Sequence, residues 1–172
     1  RPDVIHFHEL NRSIGLTLAH LKLAKQTGAK IFVTMHLPFY SCNTNVLIYN
    51  DTLCDGIIRH YRCSECSYKT LFNIPSVFAK PLAGISLGAE NASVTVKLPA
   101  GKVKSLLSVP SVISRIKSDL DELWQHADQL ISLNNWYKKI LVDNGVPANK
   151  ISVAPLALVS TKKNTISKIK RP

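Results

Sequence analysis

The chain is 172 residues long and 45% apolar, and its 22 Lys+Arg against 11 Asp+Glu leave a net charge of +11. That apolar content suffices for one ordinary domain with a real core, and no uncharged apolar run reaches the roughly 18 residues that a transmembrane helix needs. No secretory leader is legible either. Arg1-Pro2-Asp3 stands directly before an apolar run, and the far end is lysine-rich without pattern, so a fragment of a longer protein is expected. Lys162, Lys163, Lys168, Lys170 and Arg171 crowd the last eleven positions with no acid among them. Such charge bears on partners rather than on fold. An anionic membrane surface, a phosphorylated substrate and nucleic acid all remain open on charge alone, as does a merely solvated tail.

The run Val4-Ile5-His6-Phe7-His8 predicts a first strand. A helix over 13–27 follows, with Ile14, Leu18, Leu21 and Ala24 on one stripe and Gly28 as its stop. Ile31 to Met35 then run without a charge and halt at His36-Leu37-Pro38, the pattern of a strand buried in a parallel sheet. These elements compose one β-α-β unit with a right-handed crossover. His8 and His36 therefore fall at the carboxyl ends of neighbouring strands, where open α/β sheets keep their ligand crevice. His6, two residues inside its strand, reads as a packed or hydrogen-bonded core histidine.

Residues 41–72 break this rhythm. Cys42, Cys54, Cys63 and Cys66 follow the spacing C-x11-C-x8-C-x2-C inside a polar, aromatic-rich insertion, and they are all the cysteines of the chain. The clustering argues for one joint purpose. Four thiolates suit a tetrahedral zinc that would staple a loop too short for its own core. Two disulfides and an iron–sulfur cluster are the rivals, and His60 could stand in for one thiolate. From 71 to 110, four prolines and three glycines predict short elements and loops, with a brief helix near Val77 and a strand over 93–98. A long helix over 111–126 presents Val112, Ile113, Ile116, Leu120, Leu123 and Trp124 on one face. A strand over 128–133, a helix from Asn134 or Asn135 to Val142 ended by Asn144-Gly145, and a strand over 151–154 complete the chain. Strands alternating with helices predict a doubly wound α/β layout.

The order DVIHFHE, helix, KIFVTMH and then HADQLISLNNWYKKILVDNGVPANKISVAPLAL resembles the N-terminal domain of glycosyltransferase family 4. Ala127-Asp128, Gly145-Val146-Pro147, Lys150-Ile151, Val153 and Pro155 carry the likeness, and HLPFYSC with LCDG resembles a cysteine-bearing subset of that family. Two departures stand out. The family's Pro-x-Gly reads Pro155-Leu156-Ala157, and its serine after the late strand is Asn134 or Asn135. The resemblance implies the Rossmann-like N-terminal half of a GT-B fold over 1–158, a cysteine insertion at 41–72, and a basic linker at 159–172 toward a donor-binding C-terminal domain. It implies transfer of a sugar from a nucleotide-sugar, with retention, to a glycan, lipid-linked or small-molecule acceptor held mainly by this half. A cytoplasmic enzyme, in peripheral contact with the inner face of an anionic membrane, is the matching expectation.

On that reading His36 is the expected catalytic residue, contacting the transferred sugar or orienting the acceptor hydroxyl. His8, Glu9 and Asn11 are expected to bind substrate, although Asn11 suits a helix entry equally well. The rival reading is a zinc-stapled, non-catalytic module binding glycan or nucleic acid. A nucleic-acid surface would interleave basic residues with aromatics on one face. Here the charges sit in the tail and in irregular segments, so nucleic acid is not expected.

Overall fold

The computed structural model describes residues 1–91 and 101–155. The strand expected over 93–98, the basic segment 159–172 and the Leu156-Ala157 departure lie outside the described residues. Four parallel strands form the main sheet: β1 (Val4–His8), β2 (Lys30–Met35), β5 (Gln129–Ser132) and β6 (Ile151–Val153). The helices around them are α1 (Leu18–Gln26), α5 (Val109–His126) and α6 (Asn135–Asp143). Each strand is short, and β-branched residues are frequent in β1, β2 and β6.

The spatial order is β1-β2-β5-β6. Every crossover thus steps the same way, and the right-handed rule puts α1, α5 and α6 on one face. Burial agrees. Phe7, Ile31, Val33, Met35, Leu130 and Ile151 share one core with Leu21, Leu120, Leu123, Tyr137, Ile140 and Leu141. On the opposite face Val4, His6, His8 and Ser152 are exposed, and Phe32 and Ile131 only partly covered. The architecture is α/β with a parallel sheet, but among the described residues it is wound in one direction. Helices on both faces, as a doubly wound sheet requires, would need the strand order to reverse.

Helix α1 starts at Leu18, more than a turn later than its apolar spacing predicts, and Ile14 is exposed. Gly15 takes a left-handed φ of 68° that interrupts helical geometry, and Thr17 caps the helix in reciprocal contact with His20.

Residues 41–72 depart further from expectation. They form a two-strand hairpin, β3 (Ile48–Tyr49) and β4 (Thr52–Leu53), whose turn residues Asn50 and Asp51 both have positive φ, and then a helix α2 (His60–Phe72). This segment is not a coreless loop. Tyr68 is buried with Ala79 and Ala83 of α3 (Ser76–Asn91) and Val109, Ile113 and Ile116 of α5 in a second core. Helix α3 replaces the brief helix near Val77 and continues through Pro81. Packing of its small-residue face on α2 outweighs the backbone bond that proline withholds. A short helix α4 (Lys102–Leu107) leads into α5, whose Pro110 stands at the helix start where its missing N–H costs nothing. Helix α5 is the shared spine: its first half serves the second core, its last half the sheet.

Candidate functional site

At the carboxyl edge of β1 and β2 the histidines meet. His6 and His8 point to the same face because strand side chains alternate, and their ring centroids lie 4.3 Å apart. His8 stacks on His36 at 5.9 Å with 29° between planes. His6 Nε2 is 2.8 Å from Thr34 Oγ1 on the paired strand. His6 is therefore hydrogen-bonded, as the sequence suggests, but it belongs to an exposed histidine row and not to the core. Partial desolvation, then the neighbouring His8 and His36, hold its pKa below the ordinary histidine value and favour the neutral ring.

Glu9 locks this edge. Its backbone N–H continues the ladder to the Thr34 carbonyl at 3.0 Å, and a φ of 70° then turns its side chain back over β2. Oε2 accepts the backbone N–H groups of His36 at 2.7 Å and Leu37 at 2.6 Å. Oε1 is buried without a partner. Burial pushes the carboxyl above the usual glutamate range, against the pull of those two N–H donors and of His36. Glu9 thus fixes where His36 stands while keeping one buried oxygen unsatisfied.

His36 itself borders a hollow of about 100 Å³ shared with Met35, Pro38, Leu47, Leu133, Asn134, Trp136 and Tyr137. Asn134 caps α6 by accepting the Tyr137 N–H at 2.7 Å, and this cap presents Trp136 beside His36 with 40% of its surface exposed. Tyr137 is buried below, its hydroxyl donating to the Leu37 carbonyl at 3.4 Å. Asn11 is different: its Oδ1 accepts the Ser13 N–H at 3.2 Å, and its carbonyl accepts the Tyr40 hydroxyl at 3.4 Å. Its amide oxygen shapes the loop instead of joining the histidines, and the helix entry falls to Thr17.

The four cysteines all line a second hollow, of about 30 Å³, with Leu47, Tyr49, Gly56 and Arg62 on its walls. All are free thiols and half-buried. Cys42 Sγ lies 3.2 Å from Thr44 Oγ1, Cys63 Sγ accepts the Arg59 N–H at 3.3 Å, and Cys66 donates to the Ile48 carbonyl at 3.6 Å. Arg62 donates to Cys54 Sγ at 3.5 Å while gripping Asp55, which also holds Arg59 at 2.7 Å. Burial pushes the Cys63 and Cys66 thiols up. The volume suits one ion, and the four sulfurs suit zinc in kind and number. Yet among the described residues no three Cys, His, Asp or Glu side chains stand ready as a metal-holding group. A shared ion would have to draw the thiols inward. His60 turns toward Ser114 Oγ of α5, at 3.4 Å.

No family model, curated protein or solved structure matches this chain. Its own geometry is therefore what speaks for its function. Among the described residues no helix is long and apolar enough to cross a membrane. The tertiary structure also adds residues that sequence spacing passes over. Trp136 was legible only as an aromatic following a helix cap. Thr34 hides in an apolar run, and its hydroxyl matters only because β1 brings His6 beside it.

Proposed function

We propose that the carboxyl edge of the sheet is the acceptor side of a sugar-transfer site, in line with the resemblance to family 4 glycosyltransferases. The observation that carries this reading is the meeting of His8, Glu9 and His36 from two adjacent strand ends, with His36 opening into a hollow walled by Trp136. A pyranose offers a ring of hydroxyls and an apolar C–H face. The His36 imidazole can donate to or accept from a hydroxyl near neutral pH, and an exposed indole offers that C–H face a broad apolar surface. Glu9 acts through the backbone by holding His36 in position, and holding a reacting group in place is a large part of catalysis. In this reading the nucleotide-sugar sits mainly on a second domain outside these 172 residues, and the acceptor is a glycan, a lipid-linked saccharide or a small molecule in the cytoplasm.

The test is a paired measurement on His36→Ala in a protein carrying both domains. Transfer should fall on the order of 10²–10⁴-fold, as for loss of a proton-transfer or positioning group, while stability changes by about 1 kcal/mol or less. Near-normal turnover with a large drop in thermal midpoint would make His36 structural. The 172-residue chain alone should transfer no sugar, because one reactant has no site.

A second reading concerns the thiols, and the shared hollow of Cys42, Cys54, Cys63 and Cys66 favours it. Those four side chains would hold one structural zinc, with Arg62 offsetting the negative charge of a tetrathiolate. Elemental analysis should then find about one metal per chain. Cys63→Ser should lose it and loosen residues 41–72 while the parallel sheet stays folded. Metal-free protein with two protected disulfides would sink this idea.

A further inference from the structure

The loop between β1 and α1 carries Arg12 against α5, and Arg115 of α5 comes up beside it. Both guanidinium groups border one groove of about 440 Å³ with Asn11, Ser13, Ile14, Phe39, Asn45, Val112 and Asp119. A second hollow of about 240 Å³, reaching toward Thr17 and Lys22, shares Arg12, Arg115 and Asp119 with it.

Arg12 is half-buried, and burial opposes its charge, as does the like-charged Arg115. A guanidinium withdrawn from water is ordinarily paired. Among the described residues, neither Arg12 nor Arg115 has a hydrogen bond or ion pair through its side chain. Every other acid near this groove is engaged or outnumbered. Glu122 is taken by Lys22. Asp119 remains beyond ion-pair distance, its carboxyl pushed up by burial despite both arginines. Two guanidinium groups against one carboxylate leave an excess positive charge in the groove.

The rest of the lining points to what accompanies an anion. Asn45, which also lines the groove, has a φ of 61° and an Oδ1 that is buried and unpartnered, an acceptor left unused beneath the lining. Ser13 adds an exposed hydroxyl, and Phe39 and Val112 give one apolar wall. The volume lies in the range of small-molecule sites.

We propose that this groove binds an oxyanion carried on a polyhydroxyl ring, a sugar phosphate or a sugar acid, through Arg12 and Arg115. Guanidinium groups match both phosphate and carboxylate with paired donors. The inference deepens the acceptor-side reading by making the acceptor an anionic saccharide, and it rests on that reading only for the word acceptor. The groove opens from the loop that follows His8 and Glu9.

Isothermal titration of the 172-residue chain with glucose 6-phosphate, glucuronate, glucose and inorganic phosphate tests it. At least one of the charged sugars should bind about tenfold or more tightly than glucose, the usual worth of a charge-assisted contact. Whichever of the two binds tighter identifies the source of the oxyanion, and binding should weaken with added salt. Arg12→Gln and Arg115→Gln should each lose about tenfold of that affinity. Arg115→Gln, on the exposed flank of α5, keeps the test valid should Arg12→Gln fail to fold. Equal binding of glucose and glucose 6-phosphate, charged-sugar binding indifferent to both replacements, or no binding by any of the four would overturn the proposal. Those outcomes leave the His36 measurement untouched, and a failure of that measurement leaves the groove standing.

Discussion

Around β2 the chain buries Ile31, Val33 and Met35 against Leu130, Leu120 and Leu123, side chains that ask only for volume to be filled. Around α2 it buries Ser64, Glu65, Ser67 and Tyr68, which ask for partners, although Ser64 Oγ and Glu65 Oε1 have none. Tyr68 donates at 2.8 Å, its hydroxyl shared between Ser86 Oγ and the Leu106 carbonyl. Ser67 accepts from Asn43 Nδ2 at 3.0 Å, and Tyr49 donates to Glu65 at 3.0 Å. The sheet half is specified by area, the helical half by area and pairing together. Area forgives a change of shape that keeps volume, whereas pairing fails when one atom is lost.

The sharpest test of that contrast is volume in the sheet. Leu130→Ala, at a fully buried position between β2 and β6, should cost about 2–5 kcal/mol in chemical denaturation. A cost under about 1 kcal/mol would mean the sheet core collapses around the gap and is less tightly filled than its burial indicates.

The joint between the halves should respond nearly as strongly. A Cβ on Gly56 would lie 2.6 Å from Ile140 of α6, and its φ of 70° suits few other residues. The buried Asn144 pins the same turn, donating to the Gly56 carbonyl at 2.8 Å and accepting the Ile58 N–H at 2.9 Å. Gly56→Ala should therefore cost about 2–4 kcal/mol, and it should unfold both halves together. Two separate unfolding transitions would show that the joint does not couple them.

Next in size is a change of one atom. Tyr68→Phe keeps the ring and loses the hydroxyl, leaving Ser86 and Leu106 short of a donor. About 1–2 kcal/mol is expected, measured by thermal or urea midpoint. A neutral result would break the contrast, since filling space would then suffice in the helical half as well.

The smallest effect sits on two carboxylates that grip opposite ends of β2. Asp128 accepts the Ile31 N–H at 2.9 Å and the Lys25 ammonium at 2.7 Å. Burial works against its charge, but Lys25, the Ile31 N–H and Lys30 outweigh it and hold the pKa at about 2. Its contribution is therefore complete above the unfolded value of 3.8 and is lost as pH falls toward 2. Glu9, at the other end, is pushed up by burial. It favours the fold most below its ordinary value of 4.5, and that share fades as pH rises through the raised value. Stability differences from wild type should slope oppositely with pH in Asp128→Asn and Glu9→Gln. Parallel slopes would remove Glu9 from its buried seat.

How much of this was legible in the chain depends on which force does the specifying. A continuous apolar run announced β2, short apolar-rich segments announced β1 and β5, and a period near 3.6 announced α5, because burial on a flat or helical surface imposes such patterns on sequence. The placement of His8 and His36 at one edge followed from strand ends and chirality alone. Helix α2 was hidden because its inward positions are polar, and polar residues read as surface until their partners are known. Only the tertiary structure could supply those partners, Asn43, Tyr49, Ser86 and Leu106, which lie 16 to 38 residues away in the chain. The same holds at the site. Glu9 on the backbone of His36 and the open guanidinium of Arg12 are facts of proximity, whereas the clustering of the four cysteines was legible in their spacing. Proximity between distant residues leaves no periodic trace in a single sequence.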